Sequence, residues 1–117
     1  MDYKLTDKVV LINGSTGGIG QALCRAFAGE GCKLAISSTS QAKLDDFVPT
    51  LDIPADKLFT SVVDVTKEEQ VKDWVDSAYK HFGQIDVVIP NAGYEGKYQE
   101  IQDCTMEEYM KVYQINV

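Results

Sequence analysis

The sequence predicts an α/β fold, a parallel sheet with helices on both faces, and three observations predict it. Short apolar runs alternate regularly with segments of helical period. The runs are β-branched and nearly continuous, as in strands covered on both sides. A glycine-rich turn joins the first run to the first helical segment, Lys8-Val-Val-Leu-Ile-Asn-Gly-Ser-Thr-Gly-Gly-Ile-Gly20.

Each element follows in order. Val9–Ile12 reads as a buried strand. After the glycines, Ile19, Ala22, Leu23, Ala26 and Phe27 recur at helical spacing, and Gly29 and Gly31 end the pattern. Leu34–Ile36 is a second strand, and Gln41–Val48 a short helix stopped by Pro49. Leu58–Val63 is a third strand. Thr66 and Glu69 have the spacing of a capping box. The helix they open places Val71, Trp74, Val75, Ala78, Tyr79 and Phe82 on one face and ends at Gly83. Val87–Ile89 is a fourth strand, closed by Pro90. Thr105 and Glu108 form a second capping box, opening a helix with Met106, Tyr109, Met110 and Tyr113 on one side, a stripe suited to core or to a subunit interface. The order βαβαβαβα implies a three-layer α/β/α arrangement in which ligands bind beyond the C-terminal strand ends.

Composition narrows the function. At 117 residues the chain is one modest domain, and its net charge of −7 argues against nucleic acid or an anionic membrane as partner. No apolar run reaches the length of a membrane span, and Met1–Asp7 lacks the layout of a signal peptide. Three scattered cysteines, Cys24, Cys32 and Cys104, form no CxxC. They argue against a metal site or a disulfide framework, and for a cytoplasmic protein.

The turn between strand and helix carries most of the functional signal. Its glycines fall at Gly14, Gly17, Gly18 and Gly20, a G-x-x-x-G-x-G pattern. Such a turn brings backbone N–H groups and a helix N-terminus to one point, which suits a phosphate. Ser15 and Thr16 add hydroxyls. Taken alone, the pattern also fits a glycine-rich loop that binds nothing. The remaining strand ends are Ser37–Thr39, Asp64-Val65 and Asn91-Ala92-Gly93.

These motifs, in this order, resemble those of the short-chain dehydrogenase/reductase family over the whole chain. Asn13–Gly20 is similar to its TGxxxGIG cofactor turn, with Asn13 where the family usually has Thr. Asp64-Val65 is similar to its adenine-contacting pair, Asn91-Ala92-Gly93 to its NAG motif, and Ile115-Asn116-Val117 to the segment bearing its helix asparagine. The resemblance implies a Rossmann-type sheet. It implies that Gly14, Gly18, Ile19 and Gly20 lie against a pyrophosphate and adjoining ribose. By the same resemblance Asp64 and Val65 meet adenine, Asn91, Ala92 and Gly93 approach the nicotinamide-side ribose, and Asn116 is the catalytic residue that holds a water in the family's proton relay. Other roles remain open: Asp64 as a polar strand end or aid to the Thr66 cap, Asn91–Gly93 as an ordinary turn, Asn116 as a helix cap. The resemblance also implies a homo-oligomer and a small alcohol or carbonyl substrate, with Tyr94–Tyr98 near the rim of its pocket.

At the end of the second strand Ser38 stands where an acid would hold the ribose 2′-OH of NAD. No carboxylate is there to repel a 2′-phosphate; Thr39, Ser40 and Lys43 follow. The cofactor expectation leans to NADP, with NAD as the alternative. Of the six tyrosines none has Lys four residues on, so the family's Tyr-x-x-x-Lys pair does not occur. Residues 1–117 are therefore expected to be the N-terminal dinucleotide-binding part of a single domain, inert alone, with the catalytic half absent. The rival expectation is a non-enzymatic nucleotide-sensing or interaction module that naturally ends near residue 117.

Overall fold

A computed structural model describes residues 2–93 and 101–116. Four parallel strands, β1 (Val9–Ile12), β2 (Lys33–Ser38), β3 (Leu58–Val62) and β4 (Val87–Ile89), form one sheet in the order β3-β2-β1-β4. The helices are α1 (Gly18–Gly29), α2 (Gln41–Phe47), α3 (Glu68–Phe82) and α4 (Met106–Asn116). The three-layer arrangement expected from the alternation and the Rossmann-type sheet that the resemblance implies are both observed. Chain order reverses between β1 and β4, which makes their C-terminal ends the switch point where such sheets bind ligands.

The pleat divides the core. Val10, Ile12, Leu34 and Ile36 face α1 and α2, where they meet Cys24, Leu44 and Phe47. Val9, Leu11 and Ala35 face α3, where they meet Trp74 and Ala78. All four β1 residues are inaccessible to solvent, as the unbroken apolar run requires. At the other end of the strands, Asp86 accepts the Val9 N–H at 2.8 Å, and Asp7 pairs with Lys57 at 3.1 Å.

Three expectations about helix faces change. In α1 the inward residues are Gly20, Leu23, Cys24 and Phe27, whereas Ile19, Ala22 and Ala26 are exposed. Close contact of Gly20 with the glycine turn fixes the rotation of the helix, and alanine tolerates either side. In α3 Tyr79 points outward, and Gly83, at φ 79°, caps the helix through its N–H to the Tyr79 carbonyl. The Thr66–Glu69 capping box does not form. The N-cap is Lys67, without a side-chain bond; Thr66 turns back to Asp64, and Gln70 Oε1 accepts the Asp64 N–H at 2.8 Å. The second box does begin as expected: Thr105 Oγ1 accepts the Glu108 N–H at 3.1 Å. The Met106, Tyr109, Met110 and Tyr113 stripe is exposed rather than core, with Tyr109 and Tyr113 stacked.

Candidate dinucleotide-binding site

The loops beyond the four strands enclose an open cleft of about 1040 Å³, at the upper end of the range for small-molecule sites. The turn after β1 forms its floor. Gly14 has φ +63°, and a Cβ there would lie 3.0 Å from the Ala92 Cα, so the position requires glycine twice over. A Cβ on Gly20 would fall 2.1 Å from the Gly14 carbonyl oxygen. Gly18 is different: nothing lies within 4 Å of where its Cβ would be. Internal packing does not demand glycine there, but the close approach of a ligand would. The N-cap of α1 is Gly17, so the amides of Gly18, Ile19 and Gly20 have no intrahelical acceptor, and no acidic residue lies in that turn. They form an anion-binding end open to the cleft.

Asn13 joins this turn to the loop after β4. Its Oδ1 accepts the N–H groups of Asn91 and Ala92, both at 2.6 Å. In return Asn91 Nδ2 donates to the carbonyls of Asn13 at 3.4 Å and Gly14 at 3.2 Å. The Asn13 amide oxygen thus ties the turn after β1 to the loop after β4.

The sequence-derived residues divide clearly. Gly14, Thr16, Gly18, Ile19 and Gly20 line the cleft from the first loop, Ser38 and Thr39 from the second, Asp64 and Val65 from the third, and Asn91, Ala92 and Gly93 from the fourth. Asn116 enters from α4, its Oδ1 3.5 Å from where a Cβ on Gly93 would sit. Ser15 stands apart. It is fully buried, its hydroxyl donates to the Ile12 carbonyl at 2.7 Å, and its N–H donates to the Ser37 carbonyl. That geometry makes it a brace for the turn and leaves no hydroxyl for a ligand. Lys111 and Ile115, one helical turn apart, also line the cleft; the sequence pointed to Ile115 only as a neighbour of Asn116 and to Lys111 not at all. Tyr94, Tyr98 and Val117 lie outside the described residues.

The Ser38 hydroxyl is 2.9 Å from that of Thr16 and accepts the Ser40 N–H at 3.3 Å, tying the end of β2 to the glycine turn. Asp64 Oδ1 accepts both the Thr66 hydroxyl, at 2.6 Å, and the Thr66 N–H, at 3.0 Å. Those two bonds, the hydroxyl's foremost, hold the Asp64 carboxyl below its ordinary range, so it is an anion and a strong acceptor at neutral pH. Lys43, on α2, brings a cation to the same end of the cleft. Among the described residues no cluster of three or more metal-ligating side chains occurs, and no helix is long and apolar enough to cross a membrane.

Comparison with known proteins agrees with this geometry. A family model described as short chain dehydrogenase matches residues 8–117. Levodione reductase of Leifsonia aquatica is 36% identical over 116 residues, covering 97% of this chain and 43% of that protein. Among solved structures, NAD+-bound xylitol dehydrogenase superposes with a TM-score of 0.87 at 34% identity, covering 97% of this chain and 44% of that one. A 3-ketoacyl-(acyl-carrier-protein) reductase from Brucella melitensis complexed with NADH gives 0.87 at 29% identity, covering 97% and 46%. The chain spans less than half the length of these relatives.

Proposed function

Because this chain belongs to the short-chain dehydrogenase family, we propose that it forms the dinucleotide-binding part of an NAD(P)-dependent oxidoreductase acting on a hydroxyl or carbonyl carbon. One observation carries the reading: a single cleft gathers the C-terminal ends of all four strands above a glycine turn whose helix amides are open. The residues fit a nicotinamide dinucleotide. Gly18 leaves room for the pyrophosphate, the α1 amides and Thr16 donate to it, and Asp64 accepts from the adenine amino group through Oδ2, since Thr66 occupies Oδ1. Asn91 and Gly93 face the nicotinamide-side ribose, and Asn116, beside Gly93, is the relay residue that holds a water. The bound nicotinamide supplies or accepts the hydride. Two solved relatives carry NADH or NAD+, which supports a cofactor of this class.

The choice between cofactors rests on the end of β2. Ser38 puts a hydroxyl where a carboxylate would repel a 2′-phosphate, and exposed Thr39 and Lys43 stand beside it. NADP is therefore the preferred cofactor. Calorimetric titration should give a smaller Kd for NADPH than for NADH, and Lys43→Gln should narrow the gap. A parent chain that favours NADH overturns the preference, and one that binds neither overturns the cofactor reading. With no Tyr-x-x-x-Lys in residues 1–117, the chain by itself should show no turnover on a panel of carbonyl compounds with NADPH; turnover above background would count against that division of labour.

The exposed stripe of α4 is read as a subunit interface. Light scattering should then report an oligomer, and Tyr109→Lys should dissociate it. A monomeric parent chain refutes that assignment.

A further inference from the structure

Among the described residues β3 is an edge of the sheet, paired with β2 alone. In a parallel ladder, alternate residues turn their N–H and C=O groups to the same neighbour. The Val63 N–H donates to the Ser38 carbonyl at 2.9 Å, at the end of β2. Asp64, one residue on, therefore turns its N–H away from β2, to the open side. The acceptor it finds there is a side chain, Gln70 Oε1, at 2.8 Å. The N-cap of α3 is Lys67, so Gln70 is the third residue of the helix. A Gln at that position suits a reach back over the helix N-terminus to a backbone N–H. Here it passes the N-cap and meets a residue six positions earlier, in the loop that lines the cleft. Gln70 itself does not line the cleft.

The bond matters because of what the rest of the loop leaves open. Asp64 Oδ1 is taken by the Thr66 hydroxyl and N–H, at 2.6 and 3.0 Å, and the Asp64 carbonyl accepts the Lys67 N–H at 3.0 Å. With its own N–H held by Gln70, Asp64 keeps one hydrogen-bonding atom for a ligand, Oδ2. Among the described residues nothing accepts the N–H of the adjoining Val65. The loop thus offers one acceptor and, in the next residue, one donor. Adenine presents the matching edge, an amino donor beside the ring acceptor N1. Hypoxanthine presents the reverse, a carbonyl oxygen beside a protonated N1, and would set oxygen against the Asp64 carboxylate. A site built to pair with a donor discriminates strongly against a ligand that lacks it.

Resting on the cofactor reading above, we infer that Gln70 is a positioning residue for base recognition. Its amide oxygen fixes the peptide between Val63 and Asp64, and thereby the direction of Asp64 Oδ2 and of the Val65 N–H, so that the cleft takes adenine and rejects hypoxanthine. Gln70 acts through Asp64, without touching the nucleotide.

Calorimetric titration with ADP-ribose and with its hypoxanthine counterpart, inosine diphosphate ribose, tests this without any turnover. The parent chain should bind ADP-ribose more tightly. Gln70→Met, similar in length but without an acceptor oxygen, should raise the Kd for ADP-ribose about threefold to tenfold, as for the loss of one hydrogen bond. It should leave the Kd for the hypoxanthine ligand unchanged. Gln70→Glu, which retains an oxygen at that point, should keep most of the preference. The parent chain supplies a second reading that needs no variant: at equal saturation ADP-ribose should slow hydrogen exchange of the Asp64 amide more than inosine diphosphate ribose does. A Gln70→Met protein that keeps its preference overturns the inference, and so does one that weakens on both ligands alike, the mark of a purely structural role. Equal protection of the amide, or a parent chain without preference, overturns it too. In each of these cases the reading of a dinucleotide site stands. A parent chain that binds neither ligand takes down both.

Discussion

Replacing Gly20 with alanine tests whether the glycine turn is held by packing or reserved for a ligand. The added Cβ would lie 2.1 Å from the Gly14 carbonyl oxygen, 2.8 Å from the Ser15 Cα and 2.9 Å from the Gly14 carbonyl carbon. All three neighbours are backbone, so relief requires moving β1's loop or the first turn of α1. The Gly14 carbonyl also accepts from Asn91 Nδ2 and from the Gly17 N–H, at 3.2 and 3.3 Å, and both bonds would stretch as it moved. Overpacking of yielding side chains costs about 1–3 kcal/mol, and a backbone clash puts Gly20→Ala at about 3 kcal/mol or above. At roughly 4 °C per kcal/mol for a chain of this size, Tm should fall by about 12 °C. Gly18→Ala is the control. Its Cβ meets nothing within 4 Å, and alanine is the better helix former, so its Tm should stay within about 3 °C of the parent. Its dinucleotide affinity should nonetheless drop several-fold, because the methyl group projects into the space assigned to the proposed ligand. Thermal unfolding followed by far-UV circular dichroism, paired with calorimetric titration, reads both quantities. Equal destabilisation by the two substitutions would refute the reasoning, as would a Gly20→Ala protein that melts with the parent.

Other outcomes follow from the same contacts. Asn13→Ala strands two amide N–H groups and should lower the urea-derived stability by about 2 kcal/mol, whereas Asn13→Thr should retain part of it; an Asn13→Ala protein as stable as the parent would show that Oδ1 is not the essential acceptor. Among the described residues three carboxylates are held below their ordinary range: Asp7 by the Lys57 ammonium, Asp64 by the Thr66 hydroxyl, and Asp86 by the Val9 N–H. Depressed folded-state values mean that their stabilisation is complete above the unfolded carboxylate range near pH ~4 and is lost as pH falls through the lower folded values. Urea midpoints should therefore be level between about pH 7 and pH 5 and fall below about pH 4, with Asp86→Asn removing part of that fall; a decline already evident at neutral pH would mean that some other group dominates. Burial pushes the Cys24 thiol up to about 11 and raises Cys32, and both are inaccessible. A chromogenic thiol reagent should thus titrate only exposed Cys104 in the native protein and all three cysteines after denaturation.

The strands and their alternation with helices were legible because buried parallel strands leave unbroken apolar runs, and Val9–Ile12 and Val87–Ile89 were read to the residue. The cleft was legible because this architecture puts ligands at strand ends, so Ser38, Asp64 and Asn91 could be placed before any coordinates. What escaped depended on competition between neighbours. Thr66 fits a capping box by spacing, but Asp64, two residues away, is the nearer and charged acceptor, and the local Asx-type turn prevails. Ser15 carries a hydroxyl that looks available for a ligand, yet the Ile12 carbonyl takes it. The phase of α1 was ambiguous because Ala22 and Ala26 signal neither inside nor outside; the contact of Gly20 with Gly14 decides it. Lys111 reaches the cleft only through the tertiary placement of α4, which spacing along the chain does not encode.

The double acceptance at Asn13 has a mechanical consequence. One side of the cleft rests on β1 and β2, inner strands whose side chains are almost wholly buried. The other rests on β4, a three-residue edge strand, and on α4, a helix that buries no side chain. Few buried contacts mean a small free energy of local opening, so the two sides differ in stiffness, and the Asn13 amide oxygen joins the Asn91 side chain and the β1–β4 pairing in coupling them. A dinucleotide laid across both would draw its grip from the stiff side and spend part of it in steadying the soft one. That soft side is where Asn91, Gly93 and Asn116 stand, the side on which the proposed hydride transfer would demand the tightest positioning.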